Sequence, residues 1–265
     1  MSKRSKPIAN PVPPSAGAFS DALHKLANPA KARVLQSFFK TGPGQYAEGD
    51  KFLGVIVPQT RALVREFKEV SPTEAAKLVR SKWHEERLAG LLLWVQAFER
   101  GDEATRERVL RLYLENLKHV NNWDLVDLSA PQIVGGSLTS GKDPLLRKMA
   151  GSPVLWERRV AVLATFALIR QGNFGPSMDL CRRLMRDPED LMHKACGWML
   201  REVGKRDRAC LTAFLEKHAH EMPRTMLRYA IEHYPEPERQ RFLRAKGNKS
   251  EVRTEPGSHS GRDGR

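Results

Sequence analysis

The chain has only three cysteines, Cys181, Cys196 and Cys210, and none belongs to a Cys-x-x-Cys pair. An odd number at these spacings excludes a disulfide framework and a cysteine zinc site, and it points to a reducing compartment. Long apolar runs are missing too: no stretch reaches the roughly 18 residues a membrane span requires. The opening residues, MSKRSKPIANPVPPSAG, carry charge with no apolar stretch behind it and do not read as a secretory signal. Phosphate-loop, dinucleotide and serine-hydrolase signatures are absent, as are paired-histidine and deaminase zinc motifs. His218 and His220 are two apart and point to different faces of a helix, a poor metal pair. No metal, nucleotide or redox cofactor is expected.

What the sequence does have is positive charge. Its 45 Lys and Arg outnumber 31 Asp and Glu, for a formal net charge of +14 over 265 residues. The two ends account for +3 each, through Lys3, Arg4 and Lys6 and through the residues after 243. The +8 that remains falls on the part expected to fold. Such a balance fits a polyanionic partner, nucleic acid first and an anionic membrane surface second. With 40% apolar residues, the chain can still bury a sizeable core.

Residues 1–17 are rich in Pro, Ser and Lys, and 245–265 have the same character; both read as disordered basic tails around one domain, 18–244. Inside that domain almost every segment reads as helix. Ser71-Pro72-Thr73-Glu74 is a capping box with proline at the first helical position, and Ser152-Pro153 opens a second helix in the same way. Trp156, Val160, Leu163 and Ala167 then form one apolar stripe. Gly101, Gly172 and Gly204-Lys205 read as helix stops, and Gly42-Pro43-Gly44 with Gly49 as a longer loop. No period-2 alternation is sustained, so no strand is expected.

The helices also repeat. ERLAGLLLWVQAF from Glu86, ERRVAVLATFALI from Glu157 and HKACGWMLREVGK from His193 align, the last two 36 residues apart. The first two are 71 apart, and a step of 36 from Glu86 reaches Asn122. This period, with two helices per unit, predicts an all-α, HEAT-like helical-repeat solenoid, a curved superhelix of antiparallel helix pairs. In that register Asp127 aligns with Leu91, Val162 and Trp198, and Asp124 with Leu88, Arg159 and Ala195. Carboxylates thus occupy positions that are apolar in the sibling repeats, Arg159 excepted. A buried charge needs a partner or a task.

For Asp124 the task is expected to be starting a helix, since an aspartate in the first turn favours the helix dipole. Asp127 lies one turn further in, beyond the reach of capping. It either pairs with a base such as Arg159 or serves a groove. Trp123 and Asp127, four apart, share a helix face, and an indole beside a fixed carboxylate suits a cationic ring. Arg158 and Arg159 fall among apolar neighbours, where a guanidinium either snorkels or grips a phosphate. Trp198 reads as core or site. Arg201, Lys205 and Arg206 are a solvated face or a set of DNA backbone contacts.

Five stretches carry a family resemblance: KFLGVIVPQTR (51–61), NNWDLVDLSAPQIVG (121–135), LWERRVAVLATF (155–166), HKACGWMLREVGKRD (193–207) and MPRTMLRYAIE (222–232). In order and spacing the chain resembles the AlkD-type DNA alkylation repair proteins, HEAT-like helical DNA glycosylases. The resemblance implies excision of cationic N-alkylpurines such as 3-methyladenine and 7-methylguanine from double-stranded DNA. It matches the essential aspartate to Asp127, the partner tryptophan to Trp123, the second aromatic to Trp198 and the phosphate-binding arginine to Arg159. Asn122 stands where the family's pattern has a second tryptophan, and Ile56 where some members are polar.

The expectation is therefore a monomeric, cofactor-free DNA glycosylase of a bacterial-type cytoplasm, held on the nucleoid by DNA and not by membrane. Two other readings of the same residues remain: a non-catalytic HEAT-repeat module that binds nucleic acid by its backbone, and a protein-interaction scaffold.

Overall fold

A computed structural model describes residues 14–138 and 144–245. The two expected tails lie almost wholly outside these residues. Among the described residues there are fifteen α-helices and no strand, so the all-α, helical-repeat expectation is borne out. In chain order they are α1 (Ala16–His24), α2 (Pro29–Phe38), α3 (Val57–Glu66), α4 (Pro72–Val79) and α5 (His84–Arg100). Next come α6 (Glu103–Glu115), α7 (Trp123–Asp127), α8 (Ala130–Ile133), α9 (Pro144–Ala150) and α10 (Leu155–Arg170). The last are α11 (Gly175–Arg183), α12 (Asp190–Gly204), α13 (Arg208–His218), α14 (Arg224–Ala230) and α15 (Glu236–Arg244). Helix α1 begins two residues before the expected domain start.

The 36-residue register marks the inner layer. Glu86, Glu157 and His193 all lie in the first turn or so of α5, α10 and α12, and Asn122 caps α7. These helices pack in series: α5 against α7 and α8, those against α10, α10 against α12, and α12 against α14. The outer helices α4, α6, α9, α11 and α13 pack on their inner partners. Inner helices are buried almost all round, as Leu88–Val95 in α5 and Arg159–Thr165 in α10 show. Each fully buried Leu or Val there contributes about 2 kcal/mol of apolar burial.

Local chemistry sets the helix ends. Ser71, Asp102 and Asp207 accept bonds from the backbone N–H three residues on, at 3.2, 2.9 and 2.8 Å. The Ser71 box is only half closed, because the Glu74 carboxylate bonds the backbone of Ala16 at 3.1 Å instead of returning to Ser71. Ser152-Pro153 does not open a helix. The Ser152 hydroxyl caps a turn by accepting from Val154 N at 3.1 Å, and α10 starts at Leu155. Gly101 caps α5, Gly172 follows α10 with a φ of 80°, and α12 ends at Gly204.

From the sequence, most of the segment 119–136 reads as a helix headed for a core; the structure breaks it. Pro131 has no N–H to give the carbonyl four residues back, that of Asp127, so α7 ends there and α8 begins at Ala130. The break leaves Asp127 at the end of a five-residue helix rather than inside a long one.

Candidate active site

Asp127 and Trp123 stand at the two ends of α7 and line the same two adjoining cavities. The larger, about 770 Å³, has charged and aromatic walls: Lys40, Asp127, Arg159, Glu189, Asp190, Lys194 and Arg201 with Phe38, Tyr46, Trp123, Trp198 and Tyr229. The smaller, about 590 Å³, is walled mainly by Leu35, Phe38, Phe39, Phe52, Val55, Ile56, Trp123 and Trp198. Asp127 and the rings of Phe38, Trp123 and Trp198 are common to both. The sequence-predicted Asp127, Trp123, Trp198, Arg159 and Arg201 are therefore brought together at one groove.

The Asp127 carboxylate is held through both of its oxygens. Arg159 Nε donates to Oδ1 and Nη2 to Oδ2, both at 2.9 Å, and Nη1 donates to the carbonyl of Leu191 at 2.5 Å. Burial pushes the Asp127 carboxyl above its ordinary 3.8, against the pull of the Arg159 charge. Pairing with Arg159 and facing the groove, two readings of Asp127 that the sequence set apart, hold together. Asp127 keeps 15% of its side-chain surface open, and Arg159 keeps 6%.

The Trp123 ring is fixed by residues the sequence reading missed. Phe39 stacks on it at 5.2 Å and 17°, Phe38 meets it edge-on at 6.0 Å, and its Nε1 donates to the Tyr46 hydroxyl at 3.3 Å. All three come from the end of α2 and the Gly-Pro-Gly loop. Trp198 Nε1 donates to Glu202 at 3.3 Å, and Gly197 beside it lets α14 approach. A Cβ there would meet Tyr229 Cβ at 2.5 Å and the Met226 carbonyl at 2.6 Å.

Asp124 does more than start α7. It lies in the first turn behind the cap residue Asn122, and its Oδ1 accepts from Leu125 N at 2.9 Å. Its Oδ2 accepts from His84 Nε2 at 2.8 Å. The other ring nitrogen of His84 faces Asp50 at 3.3 Å, and Asp50 also takes bonds from Arg87 at 2.7 Å and Asn122 at 3.3 Å. All five side chains are buried, a network directly under the aromatic wall. Burial opposes charge on His84, but the Asp124 carboxylate outweighs it and lifts the imidazole to about 9. Asn122, the departure from the tryptophan pair, thus serves the network and not the groove.

The KFLGV motif is explained nearby. Glu85 accepts from the backbone N–H groups of Leu53, Gly54 and Val55 at 2.9, 2.8 and 3.2 Å. Gly54, at a φ of 84°, leaves room for the start of α2, because a Cβ would stand 2.1 Å from the Asn28 carbonyl. Four consecutive ionisable residues, His84-Glu85-Glu86-Arg87, enter a strongly apolar helix, and that run was the available signal.

Other basic candidates have structural partners. Arg158 bonds Asp187 at 2.7 and 3.2 Å and the carbonyls of Ser152 and Pro153, and it does not line the groove. Lys205 and Arg206 both reach Glu202, at 2.7 and 3.3 Å. Arg201 lines the groove and pairs with Glu232. Among the described residues no cluster of three metal-ligating side chains occurs, and no helix is long and apolar enough to cross a membrane.

The family model for the DNA alkylation repair enzyme matches residues 19–234. A solved structure described as a predicted DNA alkylation repair enzyme from Enterococcus faecalis superposes with a TM-score of 0.61 at 17% identity. The match covers 79% of this chain and 97% of that one, a likeness of fold. No curated protein matches. With the family model spanning most of the chain and all five motifs, the protein belongs to the DNA alkylation repair enzyme family.

Proposed function

We propose that this protein is a monofunctional DNA glycosylase that releases cationic N-alkylated purines, 3-methyladenine and 7-methylguanine among them, and leaves an abasic site. One observation carries the reading: a carboxylate locked by a bidentate guanidinium opens onto a groove between two indoles. An alkylpurine with positive charge is already a good leaving group. When its bond to C1′ breaks, the electron pair goes to the base nitrogen and neutralises it, and positive charge moves to the sugar. A carboxylate fixed in advance stabilises that oxocarbenium character without reorganising. Asp127 fills this role, orients the water that adds to C1′ and takes its proton.

Trp123 and Trp198 hold sugar and base edge by apolar and cation–π contact. Arg159 holds the carboxylate and keeps N–H groups on Nη1 and Nη2 for a phosphate of the same strand. Arg201 adds a second backbone contact at the groove. Arg158, Lys205 and Arg206, engaged elsewhere, are weaker candidates for that role.

The test is release of free base from duplex DNA carrying 7-methylguanine, measured with and without chelator beside Asp127→Asn. The expected result is release that survives the chelator and falls about a hundredfold or more in the variant. Full release by Asp127→Asn would remove the mechanism. Salt-sensitive DNA binding with no release by the wild type would establish the non-catalytic binding module instead.

A further inference from the structure

The register that flags Asp127 flags a second carboxylate. Glu202 on α12 aligns with Phe166 on α10 and Val95 on α5, so it too interrupts an apolar stripe. It is 7% exposed, and its charge is held almost out of water. It also stands in the last turn of α12, the end at which the helix dipole disfavours a carboxylate. An apolar side chain at 202 would meet none of these costs.

Three groups converge on Glu202. Its Oε1 accepts from the ring N–H of Trp198 at 3.3 Å and from Lys205 Nζ at 2.7 Å, and its Oε2 accepts from Arg206 at 3.3 Å. Burial pushes the carboxyl up, but the Lys205 ammonium, with Arg206 and Trp198, holds it below its ordinary 4.5. Lys205 and Arg206 keep 43% and 33% of their side-chain surface open, so water can serve them without Glu202. The indole has no such alternative: among the described residues Glu202 is the one hydrogen-bond acceptor for Trp198 Nε1. Phe166 completes the brace. Its ring centroid lies 6.2 Å from that of Trp198, and Arg170 and Arg206 lie over it at 4.2 and 5.8 Å. Trp198 lines both cavities of the Asp127 site, while Glu202 lines neither.

We propose that Glu202 is a positioning residue of the Asp127 site, fixing the Trp198 indole by its N–H edge while Lys205 and Arg206 hold the Glu202 charge. The assignment rests on the glycosylase reading for what Trp198 then meets. A tryptophan side chain turns about two bonds, and a ring tethered at its far edge keeps one orientation. Stability and positioning make opposite demands at 202. For stability alone leucine serves at least as well, because an apolar side chain in place of a buried charge is often neutral or stabilising and the two cations can turn to water. For positioning, an acceptor is required.

The test compares Glu202→Leu and Glu202→Gln in the full chain. Three quantities are measured: melting temperature, the Trp198 indole N–H resonance, identified by its loss in Trp198→Phe, and single-turnover release of 7-methylguanine from duplex DNA. Glu202→Leu is expected to melt at or above the wild type, to shift the Trp198 resonance and to release base about ten- to a hundredfold more slowly. Glu202→Gln keeps an acceptor oxygen and should stay within roughly threefold of the wild type. In a Trp198→Phe background Glu202→Leu should lower release no further. Wild-type release by Glu202→Leu, an unmoved indole resonance, or a loss that persists undiminished without Trp198 would each overturn the proposal. A Glu202→Leu protein that melts well below the wild type would show that Glu202 serves the fold, and would overturn it as well. If the wild type releases no base, the glycosylase reading falls, and the indole resonance of Glu202→Leu alone decides whether Glu202 holds Trp198.

Discussion

Arg159 grips Asp127 through two parallel hydrogen bonds of 2.9 Å, reaching from α10 back to the last residue of α7. The pair is nearly closed to solvent. Removing one partner of a buried ion pair strands the other, at a cost of about 3–5 kcal/mol. Arg159→Gln is therefore expected to lower stability by that order and base release at least about tenfold. Arg159→Lys keeps the charge but loses the fork, so it recovers part of the stability and little of the activity. Denaturant unfolding and single-turnover release check both. A lysine variant as active as the wild type would show that charge alone suffices, without bidentate geometry.

The pairing sets a pH dependence. Burial raises the Asp127 carboxyl above 3.8, and the Arg159 charge limits the rise. Catalysis in the proposed scheme needs the ionised form, so base release falls as pH drops through a midpoint above the ordinary 3.8 of this carboxyl. Stability runs the other way for this group. The folded state binds the proton more tightly than the unfolded chain, so its contribution is greatest below 3.8 and is lost as pH rises through the folded value. In Arg159→Gln the acid limb of the rate profile should move to higher pH. A profile with no acid limb down to pH 3.8 would argue against a raised Asp127 carboxyl, or against any need for its charge.

These residues show what a sequence can and cannot give. The 36-residue register found the inner helices because each buries the same apolar stripe. It flagged Asp127 because a carboxylate interrupts that stripe, and Arg159 was named as its partner on the same grounds. The broken α7–α8 segment was missed although Pro131 was in plain view, since apolar periodicity runs through the break. Phe38, Phe39, Tyr46 and Asp50 were missed for a different reason. They meet Trp123 and His84 from 34 to about 85 residues away, along a loop whose path no periodicity encodes.

Gly54 should be the least replaceable residue of the KFLGV motif. Any side chain there faces the Asn28 carbonyl at 2.1 Å and a φ of 84°, which costs about 1–2 kcal/mol before the clash is counted. Gly54→Ala is expected to push α2 away and carry Phe38, Phe39 and Tyr46 with it. Trp123 would lose its stacking partner, so its fluorescence and base release should change along with the melting temperature. A Gly54→Ala protein with wild-type melting and wild-type release would show that α2 docks without the close approach.

His84 offers a test at the alkaline end. Its imidazole is buried between Asp124 and Asp50, and the carboxylates outweigh burial to hold it charged up to about pH 9. A histidine raised above its unfolded value of 6.5 contributes stability that is fully present below 6.5 and lost as pH rises through 9. The rise corresponds to roughly 3 kcal/mol. His84→Gln keeps a donor for one aspartate but not the charge, and should unfold at lower denaturant at pH 6 while converging on the wild type near pH 10. Because Asp124 stands one turn before Asp127, the variant should also lower the rate of base release more than DNA binding. A stability gap that stays constant from pH 6 to 10 would mean that the imidazole is neutral in the fold and that the two aspartates are held by Arg87 and the backbone alone.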